Sequence, residues 1–144
     1  MLGVIPYINF KGNCEEAINF YKERLGAEVL YMGRYGDSPM KGKAPADKIM
    51  HCTIKIGDSK VMACDSIFDE YPVTIGNNIT LSIGTGDVSK ADTMFEQMSD
   101  GAKILMPMQE TFWAKKFGML TDKFGINWMF NVENPEADHA KATA

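Results

Sequence analysis

Two segments of this chain read as copies of one another, and that repeat limits the possible folds more than any other feature of the sequence. Residues 12–32 are GNCEEAINFYKERLGAEVLYM, and residues 86–106 are GDVSKADTMFEQMSDGAKILM. Gly12 aligns with Gly86, Asn13 with Asp87, Ala17 with Ala91 and Tyr21 with Phe95. After one inserted residue, Gly26-Ala27 aligns with Gly101-Ala102 and Val29-Leu30 with Ile104-Leu105. An alternating run precedes each copy, VIPYINF in the first and NITLSIG in the second.

Each copy carries the signals of a helix. Asn13 followed by Glu16 predicts a capping-box start, and Asp87 predicts the N-cap of the second helix. Cys14, Ala17, Ile18, Tyr21 and Leu25 form one apolar stripe; Val88, Ala91, Phe95 and Met98 form the other. Gly26 and Gly101 stand where a left-handed residue ends a helix. Strand runs follow: AEVLYMGRY, HCTIKI and KVMACD in the first half, AKILMPM, FGMLT and INWMFNV in the second. Gly57-Asp58-Ser59 makes a tight turn, and DKFG joins the last two strands.

The expected fold class is therefore α+β, with two tandem βαβββ modules at about 1–66 and 77–133. They are expected to make one domain, 1–133, followed by a flexible C-terminal tail, 134–144. Residues 34–48 hold two Pro and two Gly and are expected to be a mobile loop, poorly ordered without ligand. Residues 107–117 are expected to be an aromatic-bearing loop in the matching place of the second half.

Charge and composition exclude several classes of function. The net charge is −4 and no basic run is present, which argues against nucleic acid as a partner. No apolar stretch approaches roughly 18 residues, so no membrane span is expected. The N-terminal MLGVIPYINF alternates like a strand instead of reading as a signal peptide. Cys14, Cys52 and Cys64 form no CxxC pair and are read as reduced thiols of a cytoplasmic protein.

Three stretches resemble the PhnB-like branch of the vicinal-oxygen-chelate (glyoxalase/bleomycin-resistance) superfamily, which has also been labelled 3-demethylubiquinone methyltransferase-like. They are YINFKGNCEEAINFYKERLGAEV, DKIMHCTIKIGDSKVMACD and MPMQETFWAKKFGMLTDKFGINWMFNV, and together they cover most of residues 7–132. The resemblance implies a curved mixed-sheet cup around a pocket, and a homodimer. It gives the methyltransferase label no support from the residues: no glycine-rich strand-to-helix loop of the phosphate-cradling kind is present.

Metal-dependent members of the superfamily use a His on the first strand and a Glu on the last strand of each half. Laid on this chain, that pattern puts Pro6 and Asn78 at the His positions, and Ala63 and Met129 near the Glu positions. These four do not make a transition-metal site. Only two histidines exist, His51 and His139, and His139 lies in the tail. No metal and no cofactor are expected.

Strand parity assigns the remaining residues to faces. Cys52, Ile54, Ile56, Met62, Cys64, Ile79, Leu81, Ile83, Trp128 and Phe130 are expected on the helix side. His51, Thr53, Ala63, Asp65, Asn78, Thr80, Ser82, Asn127, Met129 and Asn131 are then expected toward the pocket. His51 and Asp65 are the candidate catalytic acid–base pair, if they meet; the plainer readings are a strand histidine bonded to a neighbour and a turn-starting aspartate. Asn78, Gln109 and Trp113 are candidate ligand contacts, with Trp113 closing over a ligand or packing at a dimer interface. The function expected is small-molecule binding in a metal-free pocket, helped by eleven adaptable methionines. The alternative is an enzyme of the lyase, isomerase or dioxygenase kind, metal-independent or with an atypical metal site, using His51 and Asp65 on a small oxygenated substrate.

Overall fold

The computed structural model describes residues 2–136. The chain divides into two compact units, Met1–Thr74 and Ile75–Ala144. In the first, β1 (Tyr7–Phe10) leads into α1 (Cys14–Leu25), then β2 (Glu28–Arg34), β3 (Ile49–Ile56) and β4 (Ser59–Asp65). In the second, β5 (Leu81–Thr85) leads into α2 (Val88–Met98), then β6 (Lys103–Gln109), β7 (Ala114–Thr121) and β8 (Asn127–Glu133). Their strand orders are β1-β4-β3-β2 and β5-β8-β7-β6, the same topology twice. In each sheet the first and last strands run parallel and the other pairs antiparallel. The internal repeat is thus a repeat of whole βαβββ modules.

The predicted apolar stripe of α1 is buried, with Phe20 added to it. On the sheet, Cys52, Ile54, Val61 and Ala63 are buried, and the Cys14 and Cys52 sulfurs lie 3.9 Å apart. That contact identifies the helix-covered face. Hydrogen bonding to Cys52, together with burial, pushes the Cys14 thiol up and keeps it protonated. Gly26 ends α1 at φ 68°, and the Ala27 amide reaches back to the Tyr21 carbonyl at 3.2 Å. In the second module Ala91, Met94 and Met98 are buried, and Phe95 meets Phe130 edge-on at 5.6 Å between centroids.

Several boundaries differ from the sequence reading. Asn13 makes no side-chain cap bond, whereas Asp87 accepts from the Lys90 amide as predicted, at 3.1 Å. α2 ends at Ser99 in right-handed geometry, and Gly101 takes its positive φ of 75° in the turn beyond. Residues 107–117 are not a loop: β6 continues to Gln109 and β7 begins at Ala114, so only residues 110–113 turn.

The 34–48 segment has anchors that its composition hides. Tyr35 is buried and donates its hydroxyl to the Asp65 carbonyl at 2.8 Å. Arg34 pairs with Glu15 and donates to the Asp47 carbonyl at 2.7 Å, and Lys48 donates to the Gly12 carbonyl at 2.7 Å. The expectation for the tail falls largely on residues 137–144, His139 included, which lie outside the described residues.

Candidate functional site

Alternate residues of a strand share a face, and cross-strand partners point the same way. On the first module, Thr53 pairs with Met62, Tyr7 with Met62, Asn9 with Cys64, Tyr31 with Thr53 and Gly33 with His51. The face turned away from α1 therefore collects Tyr7, Asn9, Tyr31, His51, Thr53, Met62 and Cys64. This corrects the parity read for β4: Val61, Ala63 and Asp65 are its buried row, and Met62 and Cys64 are half-buried on the other side. The sequence signal that misled was the larger apolar pair, Met62 and Cys64, against a row ending in a carboxylate.

His51 is the centre of this face. Its Nδ1 lies 2.9 Å from the Tyr7 hydroxyl, and its Nε2 lies 3.3 Å from the Thr53 hydroxyl. Burial, and then the neighbouring Cys64 thiol, push the Tyr7 phenol above the ordinary tyrosine range. The imidazole thus bridges two hydroxyls, Tyr7 at Nδ1 and Thr53 at Nε2, each of which can donate or accept. The Tyr7 and Tyr31 rings flank the imidazole, with centroids 5.6 Å and 6.0 Å from it. Both tyrosines remain open to solvent, at 43% and 53% exposure. Cys64 donates to the Asn9 amide oxygen at 3.3 Å, and burial pushes its thiol up as well. Cys64 was expected in the core; it lies on the imidazole's face instead.

Asp65 does not meet His51. It is 1% exposed on the opposite face, where Oδ1 accepts the Cys14 amide at 2.9 Å and Oδ2 accepts the Ile49 amide at 2.8 Å. The first of these bonds caps α1 in place of Asn13. The proposed acid–base pair is therefore not assembled, and the atypical metal site drawn from the same two residues is not assembled either. Among the described residues no group of three or more His, Cys, Asp or Glu side chains is placed to hold a metal ion. Of the four positions laid on the metal pattern, Ala63 is buried on the helix side, Asn78 is exposed ahead of β5, Pro6 precedes β1, and Met129 is half-buried on β8.

The other predicted contacts lie on the second module. Gln109 is exposed at the end of β6, opposite Phe117. Trp113 is half-buried at the β6–β7 tip, edge-on to Phe112 at 4.8 Å and to Phe117 at 5.3 Å. Ser82 pairs with Met129 and Leu81 with Trp128, in agreement with the parity read for β5 and β8. Ile79 departs from it, being 74% exposed before β5 begins. Asn127 is buried and fully used: it accepts from Thr121 at 2.8 Å and donates to the Gly76 and Ile79 carbonyls. Tyr7 and Tyr31 were missed in the sequence. The signal that finds Tyr7 is its spacing from Phe10, whose burial places Tyr7 and Asn9 on the other face.

The family model described as 3-demethylubiquinone-9 3-methyltransferase matches residues 3–130. This chain belongs to that PhnB-like family. Protein YjdN of Escherichia coli K12 is 36% identical over 138 residues, 88% of this chain and 92% of its own. A solved Pseudomonas aeruginosa protein is 36% identical, with a TM-score of 0.81 over 91% of this chain and 97% of that one. A Bacillus cereus structure described as a putative 3-demethylubiquinone-9 3-methyltransferase, PhnB protein, is 26% identical, with a TM-score of 0.74 over 90% of this chain and 98% of its own. A Frankia glyoxalase/bleomycin resistance protein/dioxygenase domain, 17% identical, shares the fold alone, with a TM-score of 0.63 over 93% of this chain and 99% of that one. Among the described residues of this PhnB-like chain, no helix is long and apolar enough to cross a membrane.

Proposed function

We propose that this protein binds a small, flat, oxygen-bearing molecule on the Tyr7–Tyr31–His51 face, without a metal. The observation that carries this reading is the imidazole held between two solvent-open tyrosine rings, with its Nδ1 hydrogen-bonded to the Tyr7 hydroxyl. Aromatic walls supply stacking area, while the imidazole, Thr53 and Asn9 supply directional polar contacts. Chemistry on the ligand is a weaker reading, since both Asp65 oxygens are committed to backbone amides and no carboxylate partner of His51 emerges. Methyl transfer, named in the family description, finds no support in the loops before the helices. They run Lys11-Gly12-Asn13 and Gly86-Asp87, each with a single glycine.

The test is a titration with resorcinol, a flat ring carrying two hydroxyls, followed by amide and imidazole chemical shifts. Shifts are expected at Tyr7, His51 and Thr53, and binding is expected to weaken about tenfold in Tyr31→Ala as the stacking surface is lost. Absence of shifts at those residues, or unchanged binding in Tyr31→Ala, refutes the reading.

A further inference from the structure

We propose that the second module carries a separate pocket for a small organic carboxylate with an apolar body, its anion held by Lys103. A cavity of about 540 Å³ opens there between the 75–80 segment, β6, β7 and the start of β8. That volume falls in the range of small-molecule sites. Its apolar wall includes Ile75, Leu105 and Met119, and its polar wall includes Thr80 and Thr121. Lys103 lies on β6 as the cross-strand partner of Thr121, so the ammonium and the hydroxyl share one part of the rim.

The charge of the lining selects the ligand's sign. None of the lining residues is Asp or Glu, and Lys103 is their one cation. Among the described residues Lys103 makes no ion pair, and the Thr80 hydroxyl has no hydrogen-bond partner. Asp122 follows Thr121 in the chain but is not among the lining residues. It is 4% exposed and accepts from the Phe124 and Ile126 amides and from the Trp128 indole. The Thr121 hydroxyl gives its proton to Asn127, so a lone ammonium and the Thr80 hydroxyl, over a thioether and aliphatic side chains, are the donors that fit a monoanion with an apolar body.

The walls are already fixed, so binding needs little ordering. Asn127 ties the 75–80 segment to β8 through the Gly76 and Ile79 carbonyls, at 3.3 and 3.1 Å. Gly125, at φ 88°, lets Ile75 approach so closely that a β-carbon there would lie 2.9 Å from the Ile75 methyl. A pre-formed wall lowers the entropic cost of association.

The experiment uses the full chain, with phenylacetate as the anionic probe and phenylacetamide as its uncharged counterpart, read by amide chemical-shift mapping. Phenylacetate is expected to shift Thr80, Lys103 and Thr121 and to bind more tightly than the amide. Lys103→Met is expected to weaken phenylacetate about fivefold, as suits a solvent-exposed ion pair, and to leave phenylacetamide unchanged. Lys115→Met, on the same module but outside the pocket, is expected to change neither. Equal affinity for acid and amide overturns the proposal, as does indifference to Lys103→Met. Shifts confined to Tyr7, His51 and Thr53 also overturn it, while supporting the separate site on the first module.

Discussion

The Asp65 carboxylate accepts the Cys14 amide at 2.9 Å, so the first helix is capped by a residue 51 positions away instead of by its own N-cap. Its second oxygen holds the Ile49 amide at the start of β3, and its carbonyl takes the Tyr35 hydroxyl. One buried residue thus ties the end of β4 to the starts of α1 and β3 through its carboxylate, and to the segment between β2 and β3 through its carbonyl. The negative charge also lies at the positive end of the helix.

Removing that carboxylate leaves two buried amides without acceptors. Asp65→Ala is expected to destabilise the chain by about 2–4 kcal/mol, from two stranded donors and a lost cap. Urea unfolding measures it. Because Asp65 lies opposite the imidazole, the variant is expected to bind resorcinol normally wherever it is folded; a variant as stable as the parent would remove Asp65 from this structural role.

Much of the module is legible in the sequence. Gly26 and Asp87 behave as their residue types dictate, since a positive φ and a side-chain cap are local events. The repeat exposes the module because both helices bury matching positions, Ala17 with Ala91 and Phe20 with Met94. Asp65 was misread because its partners are distant in sequence. A carboxylate in a strand is taken to face water or ligand unless one knows which amides it will find. The imidazole's true partner, Tyr7, depends on β1 lying parallel beside β4, a pairing that no local spacing announces. The anchors of the 34–48 segment are hidden for a similar reason: its buried Tyr35 bonds to a carbonyl of β4.

The Tyr7 phenol gives stability a dependence on alkaline pH. Burial first, and the Cys64 thiol next, raise its pKa in the folded chain. In the unfolded chain tyrosine ionises near pH 10. The folded state therefore holds its proton longer, and its advantage is full below about pH 10 and is lost as pH climbs toward the folded value. Tyr7→Phe is expected to flatten the alkaline fall in melting temperature without removing it, because burial also raises Tyr35. Identical alkaline limbs in parent and variant would contradict the assignment.

Asp122 organises the β7–β8 turn as Asp65 organises the first helix. Its Oδ1 accepts two amides, at 2.8 and 3.0 Å, and its Oδ2 accepts the Trp128 indole at 2.9 Å. Asp122→Ala is expected to cost about 2–4 kcal/mol through unpaired buried donors. In a Trp113→Phe background, which leaves Trp128 as the reporter, its emission is expected to shift as the indole loses its acceptor. An unshifted spectrum with unchanged stability would show that the turn holds itself without the carboxylate.

The last prediction concerns Trp113 and the oligomer. The family resemblance carries the expectation of a homodimer, which light scattering at micromolar concentration checks directly. Trp113 sits at the β6–β7 tip, pinned edge-on by Phe112 and Phe117, and Phe112 is itself largely exposed. Edge-to-face pairs of this kind contribute about 0.5–1.5 kcal/mol beyond area burial, so the tip is held without needing a partner. An exposed aromatic tip nevertheless offers apolar area to one. If Trp113 anchors a second copy, Trp113→Ala lowers the dimer fraction and the melting temperature together. If it stacks on a ligand, the dimer persists and affinity falls about tenfold, equivalent to about 1.4 kcal/mol. A variant that keeps its dimer, its melting temperature and its ligand would defeat both readings and leave the indole as packing for Phe117 alone.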